Sequence, residues 1–207
     1  MGIMATESSK QRELIPEGLQ DAICYLVTDL GTQTGNFGPR RQVMIGWEFP
    51  DHRIEYEDGS KPMVKTATFT LSLHEKANLR KVAEGWRGRR FTQDDLRKGF
   101  DISKMLGVNC QIQILHETKD SGKTYDNIAA VLPPKSGKPS VVNTENEHLY
   151  FSFDDDMEIP KGLYDWIVNK IKDSDEYQSV GREEPDGPDS PDFDYEPLDD
   201  DSGQIPF

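Results

Sequence analysis

From Gln42 to Phe49 apolar and polar side chains alternate. Val43, Ile45, Trp47 and Phe49 fall on one face, and Gln42, Met44, Gly46 and Glu48 on the other. A period of two marks a half-buried strand, because successive side chains of a pleated backbone point to opposite sides. The pattern repeats over Lys65–Leu73, where Ala67, Phe69, Leu71 and Leu73 oppose Thr66, Thr68, Thr70 and Ser72. Val108, Cys110, Ile112 and Ile114 alternate with Asn109, Gln111 and Gln113; the turn Asp120-Ser121-Gly122-Lys123 then leads into Tyr125–Leu132, which predicts a hairpin. An earlier strand is predicted around Asp21–Thr28, followed by a loop over Gly31–Pro39. Between the third and fourth strands the period changes: Leu79, Val82, Ala83 and Trp86 recur at helical spacing. A second helical signal opens at Thr92, with Asp95 completing a variant capping box, and a short turn from Asp101 to Leu106 stops at Gly107.

The predicted order is strand, strand, strand, helix, strand, strand. Five strands with a helical insertion between the third and fourth match the OB-fold, a small Greek-key barrel whose exposed face and two flanking loops bind oligonucleotides. The fold class expected is therefore mainly β, a five-stranded OB-fold barrel; an open α+β sheet of the same strands is the alternative. Trp47, Phe49 and Phe69 lie on apolar strand faces and belong to the core, and Trp86 completes the helical stripe that plugs the barrel. Beyond the barrel, His148–Phe153 reads as an edge strand. After Pro160 the stripe Leu163, Trp166, Ile167 and Ile171 predicts a C-terminal amphipathic helix, packed on the barrel or used as a homodimer contact. The chain divides into an N-terminal arm (1–17), the barrel (18–140), a C-terminal extension (141–180) and an acidic tail (181–207).

Charge sharpens that division. The chain of 207 residues carries 24 Lys and Arg against 38 Asp and Glu, a formal net charge of −14. Residues 1–140 hold 20 basic and 18 acidic residues, or +2, whereas residues 141–207 hold 4 and 20, or −16. From Gly181 onward ten carboxylates and four prolines before the tip preclude a packed fold, so the segment reads as a disordered, solvated tether. A near-neutral body can still carry a basic groove, because binding responds to local potential rather than to the charge of a tail. No apolar run approaches the roughly 18 residues that would span a bilayer, and the polar start lacks a secretory signal, so a cytoplasmic protein is expected. Cys24 and Cys110 lie among apolar residues and read as small hydrophobes.

The last nine residues join the acidic run Asp199-Asp200-Asp201 to Ser202-Gly203-Gln204 and an apolar Ile205-Pro206-Phe207. Proline restricts the tip, and a terminal carboxylate beside a Phe suits an arginine next to an apolar pocket. This arrangement resembles the C-terminal tail of bacterial single-stranded DNA-binding proteins, although Ser202-Gly203-Gln204 here separates the Asp run from Ile205. With the strand order, the chain resembles a single-stranded DNA-binding protein of bacterial or bacteriophage origin. The resemblance implies coating of exposed strands during replication, recombination and repair, protection from nucleases, and recruitment of replication or recombination enzymes through Asp199, Asp200, Asp201, Ile205, Pro206 and Phe207. It implies no catalysis and no cofactor.

Gripping a single strand without sequence preference requires cations along the phosphates and aromatic faces for the bases. The first loop offers Phe37, Arg40 and Arg41; the fourth-to-fifth hairpin offers Lys119, Lys123 and Tyr125; Lys65 enters the third strand; and Arg87, Arg89 and Arg90 leave the first helix. Outward Thr and Gln side chains and Met44 would floor the groove between them. Other chemistries fail on spacing. Ser121-Gly122-Lys123-Thr124 joins two strands rather than opening a helix, His52, His74, His116 and His148 lack ligand spacing, and Asp154-Asp155-Asp156 lacks the spaced ligands of a calcium loop. The competing functions are an acidic decoy that mimics DNA on a host enzyme, and an OB-fold binder of RNA or duplex. The charge split further suggests that the tail occupies the chain's own groove until DNA displaces it. Deleting residues 181–207 is accordingly expected to raise affinity for oligo-dT at low salt and to abolish partner recruitment; fluorescence anisotropy showing that the deletion leaves affinity unchanged at both low and high salt would refute self-competition.

Overall fold

The computed structural model describes residues 13–36, 38–135, 143–155 and 157–180. Strands β1 (Gly18–Gly35), β2 (Gly38–Tyr56), β3 (Gly59–Thr70), β4 (Asn109–Thr118) and β5 (Thr124–Leu132) form one antiparallel sheet in the order β3-β2-β1-β4-β5. The sheet curls into a half-barrel, and the protein is mainly β. Helices α1 (Asn78–Arg87) and α2 (Gln93–Lys98) and a 3-10 turn (Ile102–Met105) lie between β3 and β4. A short β6 (Leu149–Phe151), α3 (Asp165–Lys172) and α4 (Asp175–Val180) follow β5. α1 and α3 fall where the 3.6-residue period predicts them, α2 opens at the Thr92–Asp95 capping box, which forms reciprocally, and α4 has no counterpart in the sequence prediction. No described helix is long and apolar enough to cross a membrane.

β1 organises the sheet by changing partners along its length. Gly18–Ile23 pairs with β4; from Ile23 to Gly35 the strand pairs with β2, with register shifts between Cys24 and Leu26 and between Asp29 and Gly31. Each bulge adds a residue on one side of the ladder and bends the strand, which lets a single long strand follow the curvature. Where β4 has diverged, β6 takes the vacated edge, parallel to Leu26–Thr28. Gly31 has φ of +66°, and a Cβ there would lie 2.5 Å from Ser174 Cβ, so the second bulge admits only glycine. The loop expected over Gly31–Pro39 is largely absent: Thr32–Gly35 pairs with Gly38–Arg41 as a continuous ribbon. Polar side chains carry no alternating signal there, yet the ladder that holds the ribbon is made of backbone groups.

The inner face buries Val43, Ile45, Trp47 and Phe49 with Cys110, Ile112, Ile114 and the α1 residues Leu79, Ala83 and Trp86. Trp86 packs on Trp47 with ring centroids 6.0 Å apart and donates its indole N–H to the Asn109 carbonyl at 2.9 Å. α1 sits directly on the end of β5, since a Cβ on Gly85 would come within 2.6 Å of the Val131 carbonyl oxygen. A register shift between Gln113 and Ile114 breaks the alternation of β5, so that Val131 as well as Asp126 is buried. Ile15, from the segment read as an arm, is also buried here. Both cysteines are free buried thiols, and burial pushes the Cys24 pKa up to about 12.

The outer face of β1 and β2 is covered as well. Tyr25, Leu26, Leu30 and Met44 pack against Leu149, Phe151, Leu163, Ile167 and Ile171, so α3 lies on the protein's own sheet. Each fully buried aliphatic side chain in this layer contributes roughly 1.5–3 kcal/mol. Met44, expected on an open floor, is buried because the extension claims its face. Polar anchors fix the covering layer. The buried Glu48 carboxylate accepts from the Glu145 and Asn146 amides at 2.9 and 2.8 Å and from Asn146 Nδ2 at 2.6 Å. Glu176 accepts from the Thr32 amide and hydroxyl at 2.6 and 2.7 Å. Glu48→Ala is expected to cost about 1–3 kcal/mol by urea unfolding, because the Glu145 amide and the half-buried Asn146 lose the carboxylate that fastens their segment to the sheet. Hydrogen exchange over residues 144–151 should accelerate more than over β4.

Candidate nucleic-acid interface

With α3 on β1 and β2, the outer face of the edge strand β3 remains open. Its register with β2 pairs Val43 with Phe69, Ile45 with Ala67 and Trp47 with Lys65, which leaves Thr66, Thr68 and Thr70 facing outward. Two clefts follow one another along this strand. The first, about 360 Å³, is lined by Val64, Lys65 and Thr66 of β3 and by Tyr164 and Trp166. The second is lined by Thr68, Phe69 and Thr70 together with Arg40, His74 and Lys76. The result is a threonine-surfaced track with aromatic groups at one end and basic groups at the other.

Lys65 shares the phase of the core residues, and its side chain reaches across to β5. There it donates to both the carboxylate and the backbone carbonyl of Asp126. Among the described residues no β-ladder joins β3 to β5, so this pair bridges the two edges. Ile15 N–H donates to the other Asp126 oxygen at 3.2 Å. The bridge also draws the β4–β5 hairpin toward the first cleft: Tyr125, next to Asp126, is 39% exposed, with the Lys119 ammonium 4.8 Å from its ring centroid. Lys123 is exposed on the same hairpin.

The remaining predicted residues are dispersed. Arg40 projects into the second cleft. Arg41 is committed internally, with Nε and Nη2 on Asp29 at 3.0 and 2.5 Å and Nη2 on Asp154 at 3.2 Å. Arg87 lies over Phe91 and Phe100, 4.4 and 5.4 Å from the ring centroids, and pairs with Asp95 at 3.6 Å. Arg89 and Arg90 are exposed beyond the left-handed Gly88 at the end of α1, beside Pro133. That is the opposite end of β5 from Tyr125, about 26 Å away at the usual strand rise. Arg89 and Arg90 therefore do not join the hairpin lysines in one cluster. Phe37 and the tail residues Asp199, Asp200, Asp201, Ile205, Pro206 and Phe207 lie outside the described residues.

Sequence reasoning missed Tyr164, Trp166, His74 and Lys76. Trp166 was assigned to the apolar stripe of α3, but Leu163, Ile167 and Ile171 alone occupy one i, i+4 row and are the buried residues. Trp166, one position from Ile167, sits about 100° away on the helix, which a strict i+4 reading would have detected. Among the described residues no cluster of three or more potential metal ligands occurs. Comparison with known proteins finds no matching family model and no matching curated protein.

The bridge titrates. Burial pushes the Asp126 carboxyl up, but the Lys65 hydrogen bond, the Ile15 amide and the Lys65 charge together outweigh it and hold the pKa below the ordinary value of 3.8. A lowered folded-state pKa contributes stability that is complete above the unfolded value and lost as pH falls through the folded one. Acid unfolding below about pH 4 should therefore be steeper in the wild type than in Asp126→Asn, as read from urea midpoints across pH 2–6.

Proposed function

We propose that this protein binds single-stranded DNA without sequence preference, with the strand lying along the outer face of β3 between the two clefts. The observation that carries the reading is the β3 surface: three outward threonines, aromatic side chains at one end, and Arg40 and Lys76 at the other. The sheet order and the plugging α1 agree with an OB barrel whose last edge is joined by the Lys65–Asp126 side chains instead of a ladder. In that architecture an exposed strand face and the hairpins beside it hold oligonucleotides, and Lys119, Lys123 and Tyr125 would flank the strand. Cations there replace counterions, and exposed ring faces accept any base. The acidic segment 181–207 would recruit replication or recombination enzymes and compete for the groove.

Binding should weaken with salt, each phosphate contact contributing about 0.7 to the slope of log K against log[salt] for a single strand. Arg40→Ala and Lys76→Ala are each expected to reduce that slope by about this amount, with little change in sequence preference. Competition among labelled single-stranded DNA, duplex DNA and RNA at physiological salt tests the polymer class. Preference for duplex or RNA would refute the reading.

A further inference from the structure

α3 and the residues leading into it present two kinds of surface. Leu163, Ile167 and Ile171 bury themselves against β1 and β2, whereas Tyr164 and Trp166 remain 53% and 47% exposed. Neither is required to fill the layer beneath α3, which closes on its aliphatic row. The two exposed rings nevertheless adjoin one cleft. Both line the first cleft with Val64, Lys65 and Thr66, and Tyr56, at the end of β2, is likewise exposed. Lys61 lies over the Tyr56 ring at 5.3 Å. Its ammonium donates to Asp58 at 2.8 Å, a pair that raises the Lys61 pKa.

We infer that Tyr164 and Trp166 form a stacking platform for unpaired nucleobases, supplied to the β3 track by the C-terminal extension. This inference rests on the single-strand reading above and adds to it the place where the bases are held. The chemistry fits a single strand. Flat π-faces accept any base, and the threonine hydroxyls of β3 offer hydrogen bonds to sugar or phosphate. Duplex DNA cannot use the site in the same way, because its bases already stack on one another. The platform also gives the extension a role besides covering Met44: the row that buries Ile167 and Ile171 sets the direction in which Trp166 points.

The three tryptophans make the test direct. Trp47 and Trp86 are 0% and 5% exposed, so a ligand-dependent change in the water-exposed emission reports Trp166. The full chain is titrated with oligo-dT and with an abasic oligomer of equal length and charge, following both anisotropy of the labelled oligomer and tryptophan emission. Oligo-dT is expected to quench emission as it binds. Trp166→Ala should bind it roughly 10-fold more weakly, and Trp166→Phe should recover most of the loss. The abasic oligomer should leave emission unchanged and bind wild type and Trp166→Ala alike. If oligo-dT binds without quenching and Trp166→Ala binds as wild type does, the platform is refuted while the single-strand reading stands. If oligo-dT does not bind the wild type at all, the single-strand reading itself fails. If sedimentation shows that Trp166→Ala abolishes self-association with oligo-dT affinity unchanged, the patch belongs to a second copy and the inference is overturned. Circular dichroism verifies that the variants remain folded, as the exposure of Trp166 leads one to expect.

Discussion

The pairing of Lys65 with Asp126 is the contact on which the shape of the molecule turns. Five strands curl far enough to bring β3 near β5, but among the described residues the edges are not zipped by backbone hydrogen bonds. One ammonium on the inward face of β3 instead reaches the carboxylate and carbonyl of a residue on β5, while the Ile15 amide occupies the remaining carboxylate oxygen. Asp126 is buried and Lys65 largely so, and loss of either would strand a charge where water cannot compensate it. A charge pointing inward from an edge strand also discourages that edge from pairing with another chain. The same contact holds the hairpin bearing Lys119, Lys123 and Tyr125 beside the β3 track.

A second constraint decides which face of the sheet stays open. The outer face of β1 and β2 is closed by β6 and α3, fastened through the buried Glu48 carboxylate and the Glu176 contacts with Thr32. The extension thus belongs to the same sheet and shares a core with the strands. By occupying Met44 and its neighbours it confines the open polar surface to β3, and its own aromatic residues become one wall of the first cleft. Stability and the candidate site draw on the same helix.

The sequence made much of this legible. Alternation identified the inner faces of β2 and β4, the 3.6-residue period located α1, and the Thr92–Asp95 pair located the start of α2. Less of the site was legible. Arg41 and Arg87 carry the charge expected of a phosphate contact, yet Arg41 is engaged by Asp29 and the distant Asp154, and Arg87 by Phe91 and Asp95 once the chain turns back at Gly88. Trp166 was absorbed into a stripe to which it does not belong, and the β1–β2 ribbon was read as a loop because its polar residues give no alternation.

What the chain determined by itself is local: the period of each segment, the caps and turns, and the concentration of acid in its last third, all fixed by neighbouring residues. Tertiary structure decided which charges are occupied, which face of the sheet is covered, and how β5 shifts phase at its bulge. Those outcomes depend on contacts that sequence spacing does not specify, some between residues more than a hundred apart, such as Ile15 with Asp126 or Thr32 with Glu176. An ion pair or a covered face is a property of two surfaces, and sequence spacing specifies only one of them at a time.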